Sequence, residues 1–151
     1  MQDFLGARWS AFLAALQAAA RADAGLTVFS ANADFEFEII AGGKRARFVF
    51  SRGLIEVSDS RAPASASVSL EAPAEVWQKF FSAVPPAPYH GIYAMKMRVP
   101  EFKVTGSELA LAQHMHLVRR VLELGRGVLH PSAVQPKEKR TNNSKDPIRG
   151  G

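Results

Sequence analysis

The stretch FEFEIIAGGKRARFVFSRGLIEVS, residues 35–58, decides the fold of this chain. Its large apolar side chains alternate with charged or polar ones, and this period of two indicates strands with one buried face. Two glycine-containing turns divide the stretch into three strands, at residues 35–40, 45–51 and 54–58. Short strands that follow one another through tight turns predict an antiparallel meander.

The rest of the chain supplies two more strands and the helices. Residues 64–71 alternate between small or apolar side chains and Ser or Glu, which predicts a fourth strand, and residues 102–105 predict a short fifth one. Helical spacing of apolar residues predicts helices at residues 3–22, 74–83 and 108–125, and a short helix leading into an extended piece within 89–99. Because the strands have one polar face, helices should cover the other. The prediction is an α+β fold, a two-layer sandwich whose mainly antiparallel five-stranded sheet is covered on one face by helices.

Composition indicates one domain without disulfides. The 151 residues include no cysteine, which excludes disulfides, thiol catalysis and zinc held by thiolates, and which fits a reducing compartment. Charged residues interrupt the N-terminal apolar stretch, so neither a signal peptide nor a membrane span is expected. We therefore expect a cytoplasmic protein with one domain at residues 1–130 and a disordered basic tail at residues 131–151.

The net charge of +5 does not indicate a nucleic-acid-binding protein, because of where the charge lies. Residues 131–151 contain five Lys or Arg against two acidic residues, and so carry +3 of the total. The other 130 residues carry only +2. Phosphate binding needs several cations focused on one surface, so we expect no nucleic-acid partner.

No motif predicts catalysis, a metal site or a cofactor. His114 and His116 are two residues apart, which places them on different sides of a helix and prevents them from chelating one ion. The sequence has no G-x-S-x-G elbow, and Gly42-Gly43-Lys44 lacks the spacing of a phosphate loop. We therefore expect that the chain is not an enzyme and that it uses no metal and no cofactor.

From residue 35 to residue 126, the order of these features resembles the sterol carrier protein type 2 family, whose domains bind lipids. The resemblance rests on five segments, which are Ala41-Gly42-Gly43-Lys44, Arg52-Gly53, Ala66-Ser67-Val68-Ser69-Leu70, Glu75-Val76-Trp77, and Phe102-Lys103-Val104-Thr105-Gly106-Ser107. Residues 84–100, rich in proline and large apolar side chains, depart from the family pattern because they form a longer segment. The resemblance implies an SCP2-like fold with an apolar cavity between the sheet and the helices.

The resemblance also implies the kind of ligand, namely a sterol, a fatty acyl chain, a phospholipid or an isoprenoid quinone. The protein would bind this molecule, transfer it or present it to a partner enzyme. Flexible thioethers and aromatic rings accommodate varied ligand shapes. A polar head of the ligand is expected to meet Tyr89, Tyr93 or Arg98 at the mouth of the cavity. The side chains expected to contact its apolar body are Phe48, Phe50, Val68, Leu70, Trp77, Phe80, Phe81, Tyr93, Met95, Met97, Met115 and Val118.

The same residues are also compatible with a solid core, and the sequence does not distinguish the two arrangements. In that alternative, the chain is a protein-interaction module that forms a homodimer or docks a partner enzyme through the apolar segment 84–100. Arg119 and Arg120, near the end of the last helix, either complement its dipole or help the basic tail to attract an anionic membrane surface.

Overall fold

Five strands form one sheet in the protein, whose structure is a computed structural model that describes residues 5–59 and 67–131. The strands are β1 (Asp34–Ala41), β2 (Lys44–Ser51), β3 (Leu54–Ser58), β4 (Val68–Ala72) and β5 (Lys103–Gly106). Their spatial order is β3-β2-β1-β4-β5. The β1–β4 pair is parallel, and the other three pairs are antiparallel. The predicted meander and the predicted mainly antiparallel five-stranded sheet are therefore confirmed.

Six α-helices accompany the sheet in the part of the chain that the structure describes. They are α1 (Trp9–Ala22), α2 (Ala24–Phe29), α3 (Ala74–Phe80), α4 (Ile92–Arg98), α5 (Glu108–Gln113) and α6 (Met115–Leu129), and a short 3-10 turn at Gly6–Arg8 precedes α1. Helix α1 also protects the edge strand β3. The Val57 N–H donates to Gln17 Oε1 at 2.8 Å, and Arg21 Nε donates to the Ile55 carbonyl at 2.7 Å. Backbone groups at a sheet edge otherwise lack partners, so these bonds satisfy two of them.

The core lies between the helices and the inner face of the sheet. The register places Phe37 of β1 beside Phe48 of β2 and Val68 of β4, and all three are fully buried. The Phe37 and Phe48 rings stack with their centroids 4.6 Å apart. The Trp77 indole N–H donates to the Ile40 carbonyl at 3.0 Å, which fixes α3 against the central strand.

The outer face of the sheet is polar, and one of its carboxylates is nevertheless buried. Glu38 is only 2% exposed. It accepts a hydrogen bond from Ser69 Oγ at 2.7 Å and forms an ion pair with Arg45 at 3.1 Å. A buried carboxylate is tolerated when it is paired and hydrogen-bonded in this way, so Glu38 has a structural explanation.

The predicted helix boundaries are partly wrong. The helix expected at residues 3–22 begins at Trp9, and residues 1–4 lie outside the described part of the chain. Its predicted end at residue 22 is confirmed, but a second helix, α2, follows at once and was not predicted: Asp23 is its N-cap, since its Oδ2 accepts the Leu26 N–H at 2.9 Å. The helix expected at residues 108–125 is two helices that meet at His114, and the second runs on to Leu129.

The remaining differences are smaller. Helix α3 ends at Phe80 rather than at residue 83, because the chain turns before the proline-rich segment. Within residues 89–99 the predicted short helix is present as α4, but a turn that joins the Phe102 N–H to the Val99 carbonyl follows it in place of the extended piece. The predicted strand at 64–71 is present as β4 from Val68, and residues 64–66 lie outside the described part of the chain, as does the tail beyond residue 131.

Candidate ligand-binding groove

A groove of about 390 Å³ opens between α4, the start of α6 and the end of α3. Its volume lies within the range of roughly 300–1,000 Å³ that is typical of small-molecule sites. The side chains and backbone that line it are Phe80, His90, Gly91, Ile92, Tyr93, Ala94, Met115, Arg119, Glu123 and Arg126. The groove therefore combines an apolar part with a polar, mainly basic part.

The apolar part is built by three different helices. Phe80 ends α3, Ile92 begins α4 and Met115 begins α6, so each of the three helices contributes an apolar side chain to the groove. Phe80 and Ile92 are buried by their neighbours, and Met115 is half-buried. The Phe80 ring meets Trp77 edge-on, with centroids 5.5 Å apart, which joins the groove wall to the core. An apolar molecule in the groove would therefore cover surface that is continuous with the core.

The polar part is dominated by Arg126, whose guanidinium is fixed in place. Its Nε and Nη2 both donate to the Phe80 carbonyl, at 2.9 and 2.7 Å, and its Cζ lies 4.7 Å from the centre of the Phe80 ring. A cation at the last carbonyls of α3 complements the helix dipole. Burial lowers the pKa of the Arg126 guanidinium from its ordinary value, and the nearby Glu123 charge acts in the opposite direction.

The two arginines that were predicted to attract a membrane differ in their surroundings. Arg120 forms two hydrogen bonds with the Asp23 carboxylate, at 3.1 and 2.7 Å, and it also faces Glu123 at 3.9 Å. The Arg120 hydrogen bond holds the pKa of Asp23 below its ordinary value. Arg119 is exposed on the groove side of α6 and, within residues 5–59 and 67–131, forms no ion pair.

Most of the predicted ligand contacts lie inside the packed core instead of at an opening. Their rings contact one another, with centroids 6.0 Å apart for Trp77 and Phe81 and 4.9 Å apart for Phe80 and Phe81. Their role as ligand contacts stays a prediction. The fully or almost fully buried residues of the predicted set are Phe48, Phe50, Val68, Leu70, Trp77, Phe80, Phe81, Met95 and Val118.

The other predicted contacts are at the surface. Tyr93 borders the groove with 45% of its surface exposed, and Met115 lines it. Met97 is 82% exposed and does not line the groove. Of the expected head-group partners, Tyr89 lies under the Lys79 ammonium at 4.8 Å, and Arg98 is exposed outside the groove.

Sequence reasoning missed the basic part of the groove. Met115, Arg119 and Arg126 are separated by four and seven residues, which places them on one side of a helix. This spacing was visible in the sequence, but nothing in it revealed that α4 lies opposite. Glu123 and Ile92 were missed for the same reason.

A larger depression of about 490 Å³ lies between the start of α1 and the β1–β2 turn. Trp9 is its one large apolar side chain among the described lining residues, and the Trp9 indole N–H donates to the Arg45 carbonyl at 3.2 Å. Its other lining is small or charged, including Lys44 and Asp59. A lipid-like molecule gains little from such a surface, so the smaller groove is the better candidate.

His114 and His116, whose spacing does not allow them to chelate one metal ion, each contact an aromatic ring. His114 stacks on Phe35 with ring centroids 4.3 Å apart, and its Nδ1 lies 2.9 Å from the Ala110 carbonyl. His116 meets Phe29 edge-on at 6.0 Å. In the part of the chain that the structure describes, no group of three His, Cys, Asp or Glu side chains is placed to hold a metal ion.

Comparison with solved structures shows the class of fold. A crystal structure of sterol carrier protein 2 matches with a TM-score of 0.59 and 12% identity, over 78% of this chain and 95% of that one. A conserved hypothetical protein from Thermus thermophilus matches with a TM-score of 0.58 and 15% identity, over 85% and 90%. The UbiJ-SCP2 ubiquinone synthesis protein matches with a TM-score of 0.51 and 17% identity, over 76% and 92%.

The chain therefore has the SCP2-like fold, as its sequence predicts. No protein-family model and no curated protein matches it. In the described residues, no helix has the length and apolar character needed to cross a membrane.

Proposed function

We propose that the protein binds a lipid-like molecule in the groove between α4 and α6, and carries or presents it without changing it chemically. The SCP2-like fold supports lipid binding or transfer in general. The observation that carries the proposal is the apolar wall formed by Phe80, Ile92 and Met115, which is continuous with the aromatic core. Burial of an apolar chain against such a wall contributes about 0.8 kcal/mol per methylene.

Helix α4, which lines the groove, also carries Met95, one of the predicted core contacts. Helix α4 has only seven residues, and it is anchored by the buried side chains of Ile92 and Met95, with Val99 just beyond its end. An exposed ion pair of 3.3 Å between Lys96 and Glu108 adds little, because surface pairs contribute about 0–1 kcal/mol.

The test of this function is direct binding by the full 151-residue chain. A neutral fluorescent probe, N-phenyl-1-naphthylamine, should gain fluorescence in the protein and be displaced by fatty acids, sterols or isoprenoid quinones. The quinone belongs in the panel because one neighbour in fold is described as a ubiquinone synthesis protein. Recovery of each ligand with its mass unchanged is expected, and a ligand converted by the protein would contradict a non-catalytic role.

A protein-interaction module is the second candidate, and exposed apolar side chains favour it. Within the segment 84–100, Val84 is 85% and Met97 is 82% exposed. Such residues contribute to interfaces when they lie close together. If this candidate is correct, sedimentation velocity should show a homodimer that Met97→Ser dissociates, or the chain should bind a partner enzyme only when Met97 is intact.

Contact with an anionic membrane is also part of the proposal, as is a cytoplasmic location. Arg119 supports the membrane contact because it is exposed and unpaired within the described residues, whereas Arg120 is held by Asp23. Flotation with vesicles of phosphatidylcholine, with and without phosphatidylglycerol, tests the contact. Cell fractionation tests the location.

A further inference from the structure

The groove is lined by two arginines, Arg119 and Arg126, and by one carboxylate, that of Glu123. Glu123 is four residues after Arg119 and three before Arg126, spacings at which ion pairs form on a helix. Its carboxylate faces Arg120 instead, at 3.9 Å. Within the described residues, neither Arg119 nor Arg126 forms an ion pair, so the polar end of the groove has an excess of positive charge.

Arg126 is held in a position from which it can bind a second group. Its Nε and Nη2 donate to the Phe80 carbonyl, so the plane of the guanidinium is fixed over the Phe80 ring. A guanidinium has five N–H donors, and those on Nη1 have no partner in the described part of the chain. Burial lowers the pKa of this group and the Glu123 charge opposes that effect only in part, so an anion that binds to Arg126 would further stabilise its charged form.

Arg119 is placed to complete such a site. It follows Met115 by one helical turn and precedes Arg126 by about two, so the three side chains line one side of α6. The apolar wall begins at Met115 and the two guanidinium groups lie further along the same helix. A molecule with an apolar chain on the wall would have its head near the arginines.

We propose that Arg119 and Arg126 make this groove selective for amphiphiles with a single anionic head, either a carboxylate or a phosphate monoester, over neutral amphiphiles with the same tail. This inference rests on the proposed ligand-binding function. It assigns the head group to two arginines of α6 rather than to Tyr89 or Arg98. Charge-assisted hydrogen bonds from a guanidinium to such anions are about twice as strong as neutral ones.

The experiment compares three ligands with one tail, namely decanol, decanoate and decyl phosphate. Each displaces N-phenyl-1-naphthylamine from the full chain at low salt and at neutral pH. We expect both anions to bind about tenfold more tightly than decanol, and the preference to shrink as NaCl is added. A stronger preference for the phosphate would identify that head group, and a stronger preference for decanoate would identify the carboxylate.

Two variants with equal loss of charge locate the effect. Arg119→Gln should reduce the ratio of anion affinity to decanol affinity, both measured on the same variant, to about threefold or less. Arg98→Gln removes an exposed arginine outside the groove and should keep the full preference. Circular dichroism shows whether Arg119→Gln is folded. If it is not, Arg119→Lys serves in its place. Lysine retains the charge but lacks the paired donors of the guanidinium, so the binding of both anions should be weaker.

The outcomes separate this inference from the function on which it rests. Equal binding of decanol and the anions, or an anion preference that survives Arg119→Gln, overturns the inference and leaves lipid binding intact. Failure of the protein to bind the probe or any of the three ligands overturns both.

Discussion

Replacement of Met115 by tryptophan should block the groove while leaving the fold intact. Met115 is half-buried at the start of α6 and faces the opening of about 390 Å³. A larger side chain at this position can extend into the groove without displacing core atoms. The cost in stability is therefore expected to be small, within about 1 kcal/mol, because overpacking is avoided and the two residues differ little in helix propensity.

The effect on binding should be much larger than the effect on stability. The indole would occupy space that the apolar part of a ligand needs. Exclusion of only two methylenes from the wall removes about 1.6 kcal/mol, which corresponds to more than a tenfold loss of affinity. Uptake of N-phenyl-1-naphthylamine and of decanol should fall by at least this factor.

A matched substitution at a core position provides the control. Val118 lies three residues further along α6 and is fully buried. Val118→Phe also adds an aromatic ring, but it has no opening to enter and should cost about 1–3 kcal/mol through overpacking. Guanidinium chloride unfolding followed by circular dichroism measures both variants. The reasoning is refuted if Met115→Trp is as destabilising as Val118→Phe, or if it binds the probe as the unmodified protein does.

Three further predictions concern stability. Gly106→Ala should lower the free energy of unfolding by about 2 kcal/mol or more, because Gly106 has φ +98° and an added Cβ would clash with the Ser67 carbonyl. Thermal unfolding measures this loss. A loss no larger than that of an alanine substitution at an exposed site would contradict the close approach. Gly125→Val should cost about 1–3 kcal/mol, because a Cβ there would already lie 3.0 Å from the Phe81 ring, and a stabilised variant would show that α6 has room to move. The hydrogen bond from Arg120 lowers the pKa of Asp23 in the folded protein. The stability that this ionised carboxylate contributes should therefore be fully present above the pKa of aspartate in the unfolded chain, about 3.9. It should be lost as the pH falls through the pKa of Asp23 in the folded protein. Asp23→Asn keeps the N-cap but should remove this acid-dependent loss of stability, which for a partly exposed ion pair amounts to about 1 kcal/mol or less. The free energy of unfolding measured against pH tests this. If its pH dependence is the same in the variant, the Asp23–Arg120 ion pair is not the source of the loss.

The first three strands could be predicted because each buries one face. In a strand with period two, a shift by one residue would place every phenylalanine on the polar side, so the register follows from the pattern. The parallel pairing of β1 with β4 has no such local signal. It joins residues about 30 positions apart in the chain, and the strands β2 and β3 lie between them in sequence.

The helix boundaries were harder to predict because tertiary contacts decide them. The apolar period runs on through His114, yet α5 and α6 separate there, where the imidazole stacks on Phe35 at 4.3 Å and reaches the Ala110 carbonyl. Asp23 gives a similar ambiguity. It follows α1 directly and caps α2, so the N-cap preference for aspartate marks the start of a second helix at the point where the first one ends.

The candidate site was only partly predictable. Ile92, Met95 and Val99 share one face of α4, and the helical spacing places Met97 on the other face, where the structure shows it exposed. A correct start for α4 would have removed Met97 from the predicted contacts. The basic end of the groove needed the structure, because only the packing of α4 across from α6 shows that Arg119 and Arg126 face a shared opening.

Native mass spectrometry of the purified full chain, followed by organic extraction, tests the central claim most directly. We predict one copurifying amphiphile per chain, which is retained by the unmodified protein and absent from the Met115→Trp variant. A mass equal to that of the chain alone, together with no uptake of N-phenyl-1-naphthylamine or fatty acids, would contradict a ligand-binding function for the groove.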